Sequence, residues 1–164
     1  MKAREITLYA FLGAMLFALK VAFAWMPNIE PVSLLVMVFS KVMGRKALYP
    51  IYIYVALEFM TWGINSLAIP YLYMWAILAF LAWLQPKIDS PIRWAVLSGG
   101  FGLCFGLLCT PVHICVGGWS YALSWWIAGI PYDIIHCVGN FVIAFMLFVP
   151  CSRVFEILWN MNRT

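Results

Sequence analysis

The sequence predicts an all-α integral membrane protein: one domain over residues 1–164, six transmembrane helices and both termini in the cytoplasm. Three observations carry this. Hydrophobic residues make up 66% of the chain and charged residues 10%, where a soluble domain carries about 25% charge. The apolar residues fall into six stretches, and no core of this size could hide them from water. Nine of the ten Lys and Arg residues sit in four short clusters between and beside those stretches: Lys2/Arg4, Lys41/Arg45/Lys46, Lys87/Arg93 and Arg153/Arg163. With six crossings every cluster lands on one side, which the positive-inside rule makes the cytoplasm. The net charge of +4 then reflects inner loops beside anionic lipid, and nucleic acid is not needed to explain it.

Helix 1 is expected over about residues 6–25, with Pro27 ending it. Lys2, Arg4 and Ala22-Phe23-Ala24 also fit a cleaved secretory signal. Lys20 interrupts that apolar run, and the run is long enough to span a bilayer, which favours a retained helix. The outer loop 26–31 contains Asn28 and Glu30. Helix 2, about 32–43, is short for a span and turns at Gly44-Arg45-Lys46. Helix 3 covers about 47–63, and Asn65-Ser66 with Pro70 marks the next outer loop. Helix 4 covers about 71–84. Helix 5 begins near Pro91, suited to a first turn, and runs to about Cys109. A longer outer segment, 110–130, carries His113, Gly117-Gly118-Trp119 and Trp125-Trp126. Helix 6 begins at Pro131 and ends at Pro150.

Two kinds of face stand out. In helix 1, Ala10, Ala14, Ala18 and Ala22 recur every four residues, a stripe that allows close helix approach, either inside the bundle or against a partner. Lys20 points about 140° away from it. In helix 5, Ser98, Gly102 and Gly106 are read as packing within the bundle. Helix 3 aligns Tyr54, Glu58, Trp62 and Asn65, and helix 6 aligns Asp133, His136 and Asn140. Such groups are costly in lipid and face a bundle interior or a cavity. At 1.5 Å per residue Lys20 and His136 stand roughly 20 Å above the cytoplasmic ends, and Glu58 and Asn140 roughly 15 Å. The spacing therefore predicts a pocket joining Lys20, Glu58, Asp133, His136 and Asn140, open outward, with Trp119 or Trp125 as a stacking wall. An ion-pair network that only fixes helix packing is the alternative. The outer aromatics also fit an interfacial belt.

The five Cys show no CxxC spacing and read as small buried hydrophobes. No nucleophile, phosphate-loop or metal-ligand motif is present, so no enzyme activity, cofactor or bound metal is expected, and the chain does not hydrolyse ATP itself.

A small six-span chain with an AxxxA stripe in helix 1 resembles the substrate-binding S components of energy-coupling-factor vitamin importers. The segments Pro27-Asn28-Ile29-Glu30-Pro31-Val32-Ser33 and Trp125-Trp126-Ile127-Ala128-Gly129-Ile130-Pro131-Tyr132-Asp133 carry the resemblance further. It implies capture of a vitamin or vitamin precursor from outside the cell membrane, then docking on a membrane coupling subunit carried by two cytoplasmic ATPases. Ala10, Ala14 and Ala18 would dock. By location, Asn28, Glu30, Asn65, Trp119, Trp125, Asp133 and His136 would bind substrate. The metal-specific members carry His at position two, where this chain has Lys2, so nickel or cobalt is not implied. The aromatics with acidic and basic partners fit a flat polar heterocycle. The competing reading is an autonomous permease or proton-coupled carrier using Lys20, Glu58 and Asp133; a structural subunit without ligand is a third.

The topology is testable by single cysteines in a cysteine-free background. Both termini, residues 44–46 and residues 87–93 should label from the cytoplasmic side alone. External labelling of Lys87→Cys in intact cells refutes the assignment.

Overall fold

The computed structural model describes residues 3–26, 29, 31–85 and 89–161, and it is all-helical, with no strand among them. Helix α1 is Ala3–Ala22, α2 Val32–Met43, α3 Leu48–Trp62, α4 Tyr71–Trp83, α5 Pro91–Leu103 and α6 Phe105–Met161. A single 3₁₀ turn, Gly44–Ala47, joins α2 to α3.

The largest departure from expectation concerns 110–130, expected as an outer loop. These residues are helical, and α6 is broken at one point, Gly118, where φ is 76° and ψ −178°. This backbone suits glycine, which has no Cβ to clash. Pro131, expected to begin a helix, lies inside one, as do Pro111 and Pro150. Prolines at such positions remove a backbone donor, yet the helix continues past each of them. Helix α5 and residues 105–117 stack end to end across Cys104, whose amide bonds the Gly100 carbonyl at 3.1 Å and whose carbonyl accepts from Leu108 at 2.9 Å. The described chain thus makes six rods: α1, α2, α3, α4, an arm 91–117 and an arm 119–161.

The two arms run antiparallel about Gly118. The His113 and Trp125 rings stack at 3.8 Å near the vertex, and Trp94 and Phe148 stack at 4.0 Å far from it. Between these points glycine lets the backbones meet. A Cβ on Gly102 would stand 2.8 Å from the His136 carbonyl oxygen, and one on Gly106 would stand 2.5 Å from Asp133 Oδ2. Gly102 and Gly106 therefore pack within the bundle as expected.

Helix α2 is the central pillar, touching α1, α4 and α6. Nine of its twelve residues are buried, among them Val32, Met37 and Phe39, as expected for a helix apolar on every side. A second core layer is aromatic: Tyr54, Tyr71, Trp75, Phe101 and Phe105 meet in stacked, tilted and edge contacts.

Among the described residues the core is mainly apolar but also holds nine polar or charged residues, and many large apolar side chains lie on the outside. Ser33, Ser40, Glu58, Ser98, His113, Asp133, His136, Asn140 and Ser152 are buried, while Met60 is 82% and Met146 67% exposed. Two stretches, Ala3–Ala22 and Pro91–Met161, are long and apolar enough to cross a membrane.

One end of the bundle gathers the described members of all four basic clusters. Lys46 Nζ pairs with Glu5, beside Arg4, at 2.9 Å. Asp89, four residues before Arg93, receives Lys41 Nζ at 2.5 Å and Arg153 Nε at 3.4 Å. The hydrogen bond from Lys41, with added charge from Arg153, holds the Asp89 carboxyl below its usual range.

The glycine contact makes a direct prediction. Gly102→Val should force the arms apart and cost about 1–3 kcal/mol, seen as a lower melting temperature. Gly100→Val, whose Cβ meets nothing within 4 Å, should leave it nearly unchanged. Equal effects from both would refute the close approach.

Candidate functional site

Lys20 lies in the last turn of α1 and Glu58 on the inner face of α3. Contact between α1 and α3 brings them together, because Gly13 lets Ile53 and Pro50 approach within 3 Å of where a Cβ would stand. Lys20 Nζ donates to Glu58 Oε2 and also lies 4.9 Å from the centre of the Tyr71 ring. A tyrosine face attracts a cation, so Tyr71 supports the ammonium from a second side.

The pair opens into a cavity of about 250 Å³ lined by Trp62, Asn65, Leu67 and Tyr71 among others. Glu58 is 2% exposed, and its second oxygen, Oε1, has no hydrogen-bond partner. A buried carboxylate oxygen without a donor is costly, so a group that donates there is favoured. Lys20, 24% exposed, keeps donor capacity toward the opening. The arrangement sets a partly exposed cation over a buried acceptor, beneath an exposed indole, Trp62.

Asn65 is committed differently. Its Oδ1 accepts from the amides of Leu67 and Ala68 at 2.9 and 3.0 Å, and its Nδ2 lies 3.3 Å from the Trp62 and Gly63 carbonyls. It shapes the turn that forms the cavity rim, an Asx role.

The α6 residues form a second, separate group. Asp133, His136 and Asn140 share one buried face, as their spacing predicts. Asp133 Oδ1 accepts from the Gly106 amide at 3.0 Å, and Asn140 Nδ2 donates to Ser33 Oγ at 3.1 Å and lies 3.4 Å from the Ser98 carbonyl. His136 packs on Phe105 with ring centres 4.7 Å apart. Asp133 Oδ2 and His136 Nε2 lack partners.

The expected five-residue pocket is therefore not assembled. The aromatic rings of Tyr71 and Phe105, 6.4 Å apart, stand between the Lys20 pair and His136. Equal depth in the bundle puts residues at one level, but helix order decides which of them meet. His113, expected in a loop, is buried on a helix, bonds the Cys109 carbonyl through Nδ1 at 3.1 Å and stacks on Trp125. That stack closes the vertex and engages Trp125. Trp119 is 77% exposed beside Gly118 and walls neither group. Asn28 and Glu30 lie outside the described residues.

Sequence reasoning missed Tyr71 as the partner of Lys20, and Ser33 and Ser98 as partners of Asn140. Tyr71 stood among the outer aromatics with nothing to single it out. A serine inside an apolar helix was the available signal for the other two. Among the described residues, no three His, Cys, Asp or Glu side chains gather where a metal ion would fit, and the five cysteines are free thiols. No family model, curated protein or solved structure matches the chain.

A double-mutant cycle tests the pair. Lys20→Met alone leaves Glu58 buried and unpaired and should cost roughly 3–5 kcal/mol. Adding Glu58→Gln should restore most of that loss. Purely additive effects on the melting temperature would mean that the two side chains are not coupled.

Proposed function

We propose that this chain is the substrate-binding membrane subunit of an energy-coupling-factor importer. It crosses the cell membrane six times with both ends in the cytoplasm. It captures a small vitamin-like molecule from outside and docks on a coupling subunit carried by two cytoplasmic ATPases. The observation that carries this reading is the division of α1 into two faces. Tyr9, Leu12, Gly13 and Leu16 are buried in the bundle, and Lys20 turns in to Glu58. Ala10, Ala14, Ala18 and Ala22 all face outward. Small residues on an outer face do nothing for the chain's own packing and permit close approach of another helix. One helix thus links a polar cavity to a free docking stripe.

Three further features support the reading. Large apolar side chains exposed on the outside, with Glu58, Asp133, His136 and Asn140 buried within, suit a lipid solvent. Six rods with their basic residues tied at one end suit the positive-inside rule. The cavity, small beside the roughly 300–1,000 Å³ of drug-sized sites, suits a compact nutrient. A flat heterocycle with an anionic group would satisfy Lys20, and an N–H or hydroxyl on it would satisfy Glu58 Oε1, with Trp62 across its face. The carrier reading loses support because Asp133 bonds the Gly106 amide, apart from the Lys20 and Glu58 pair.

The test replaces Ala10 and Ala14 with Trp. Co-purification with a coupling subunit and uptake should be lost. Small molecules retained by the purified chain, detected by mass spectrometry, should be unchanged. Loss of those molecules with docking intact would overturn the assignment of the two faces.

A further inference from the structure

Two large grooves run along the outside of the bundle, away from the Lys20 cavity. One, about 640 Å³, lies between α4 and α5 and is walled by Leu81, Val96, Gly100, Phe101 and Leu108, with Arg93 at one end. The other, about 660 Å³, follows α3 along Leu48, Tyr52, Ile53 and Ala56, with Arg45 and Lys46 at one end. Both basic ends lie at the end of the bundle where Lys46 meets Glu5 and Asp89 meets Lys41 and Arg153.

The arginines here differ from the other bases. Lys20, Lys41, Lys46 and Arg153 each have a carboxylate. Arg45 and Arg93 have no ion pair among the described residues, and each stands at the mouth of an otherwise apolar groove. That combination is complementary to a molecule with an apolar tail and an anionic head. From Arg45 to Ala56 is roughly 16 Å along the helices, and from Arg93 to Leu108 roughly 22 Å. One leaflet of a bilayer's hydrocarbon core is roughly 15 Å deep. Each groove is therefore long enough for an acyl chain whose phosphate meets the arginine.

We propose that both grooves are binding sites for an anionic phospholipid of the cytoplasmic leaflet. This rests on the membrane part of the proposed function and not on transport. The guanidinium fork matches phosphate oxygens. A zwitterionic lipid brings the same tails, but its own cation competes for its phosphate, so the sites discriminate by headgroup. A soluble phosphate lacks the tail and gains nothing from the groove.

The experiment begins with alkaline carbonate washing of membranes. The retained protein is purified and placed in nanodiscs of equal parts palmitoyl-oleoyl phosphatidylglycerol and palmitoyl-oleoyl phosphatidylcholine. Lipids that stay bound on ejection are counted by native mass spectrometry. Phosphatidylglycerol should be enriched. Arg45→Gln and Arg93→Gln should each lower its retention about fivefold at one groove, the effect of one basic residue near an anionic headgroup. Phosphatidylcholine retention should not change with either. Gly100→Leu, with open space around its Cβ, should fold normally and lose lipid of both kinds from the α4–α5 groove alone. Glycerol phosphate should not displace bound lipid. Equal retention of the two lipids, arginine variants without effect, or a lipid-free dimer whose second copy covers the grooves would each overturn the proposal and leave the membrane reading standing. Release by carbonate would overturn both.

Discussion

The contact of Gly102 with the His136 backbone fixes the register on which the polar interior depends. With the arms this close, Asp133 reaches the amide of Gly106, and Asn140 lies 3.4 Å from the Ser98 carbonyl. Asn140 then meets Ser33 on α2, so one register ties the hairpin to the central pillar. A larger residue at 102 would shift all three bonds together. Each bond lies where no water reaches, and a buried polar group left without a partner costs more than a formed bond contributes.

The opposite side of the bundle follows a different rule. There α1 meets α3 through Gly13, and the outcome is a cavity instead of a sealed interface. Lys20 enters near the end of α1, where the helix stops at Ala22 and leaves room above the ion pair. The same helix carries small side chains on its outer face. A partner docked there and a molecule in the cavity would be separated by the thickness of a single helix, and any tilt of α1 would move the Lys20 ammonium relative to Glu58. The two polar centres are thus unequal. Both keep unpartnered polar atoms, at Glu58 Oε1 in one and at Asp133 Oδ2 and His136 Nε2 in the other, but only the Lys20 centre opens into a cavity.

Much of this was legible in the residues, because period and charge are local properties. The four-residue spacing placed the alanines on one face, and the 3- and 4-residue steps placed Asp133, His136 and Asn140 on another. The basic clusters indicated a common end, and the ion pairs of Glu5 and Asp89 join them there. The segment 110–130 was misjudged because Gly-Gly and Pro are the usual signals of a break in a helix. The helix breaks at one residue, Gly118, and continues through Pro131, so only the glycine with positive φ acts as a break. The joint pocket was misjudged because depth along a helix says nothing about which helices are neighbours. Asn65 looked like a ligand residue, yet its side chain is used in full by the turn it sits in.

The vertex at Gly118 has a consequence for how the chain reaches this structure. His113 with Trp125, Gly106 with Asp133, Gly102 with His136 and Trp94 with Phe148 lie at roughly matching distances on either side of it. Pairing that starts at the vertex meets each later contact with only a few more residues to close. Loop-closure entropy is then spread over many small increments. Nearly half the chain can assemble by zipping from one glycine, with low effective contact order, before α1 to α4 are in place. A contact that closes a much longer loop is that of Ser33 with Asn140, more than a hundred residues apart in sequence, and it carries the larger closure entropy.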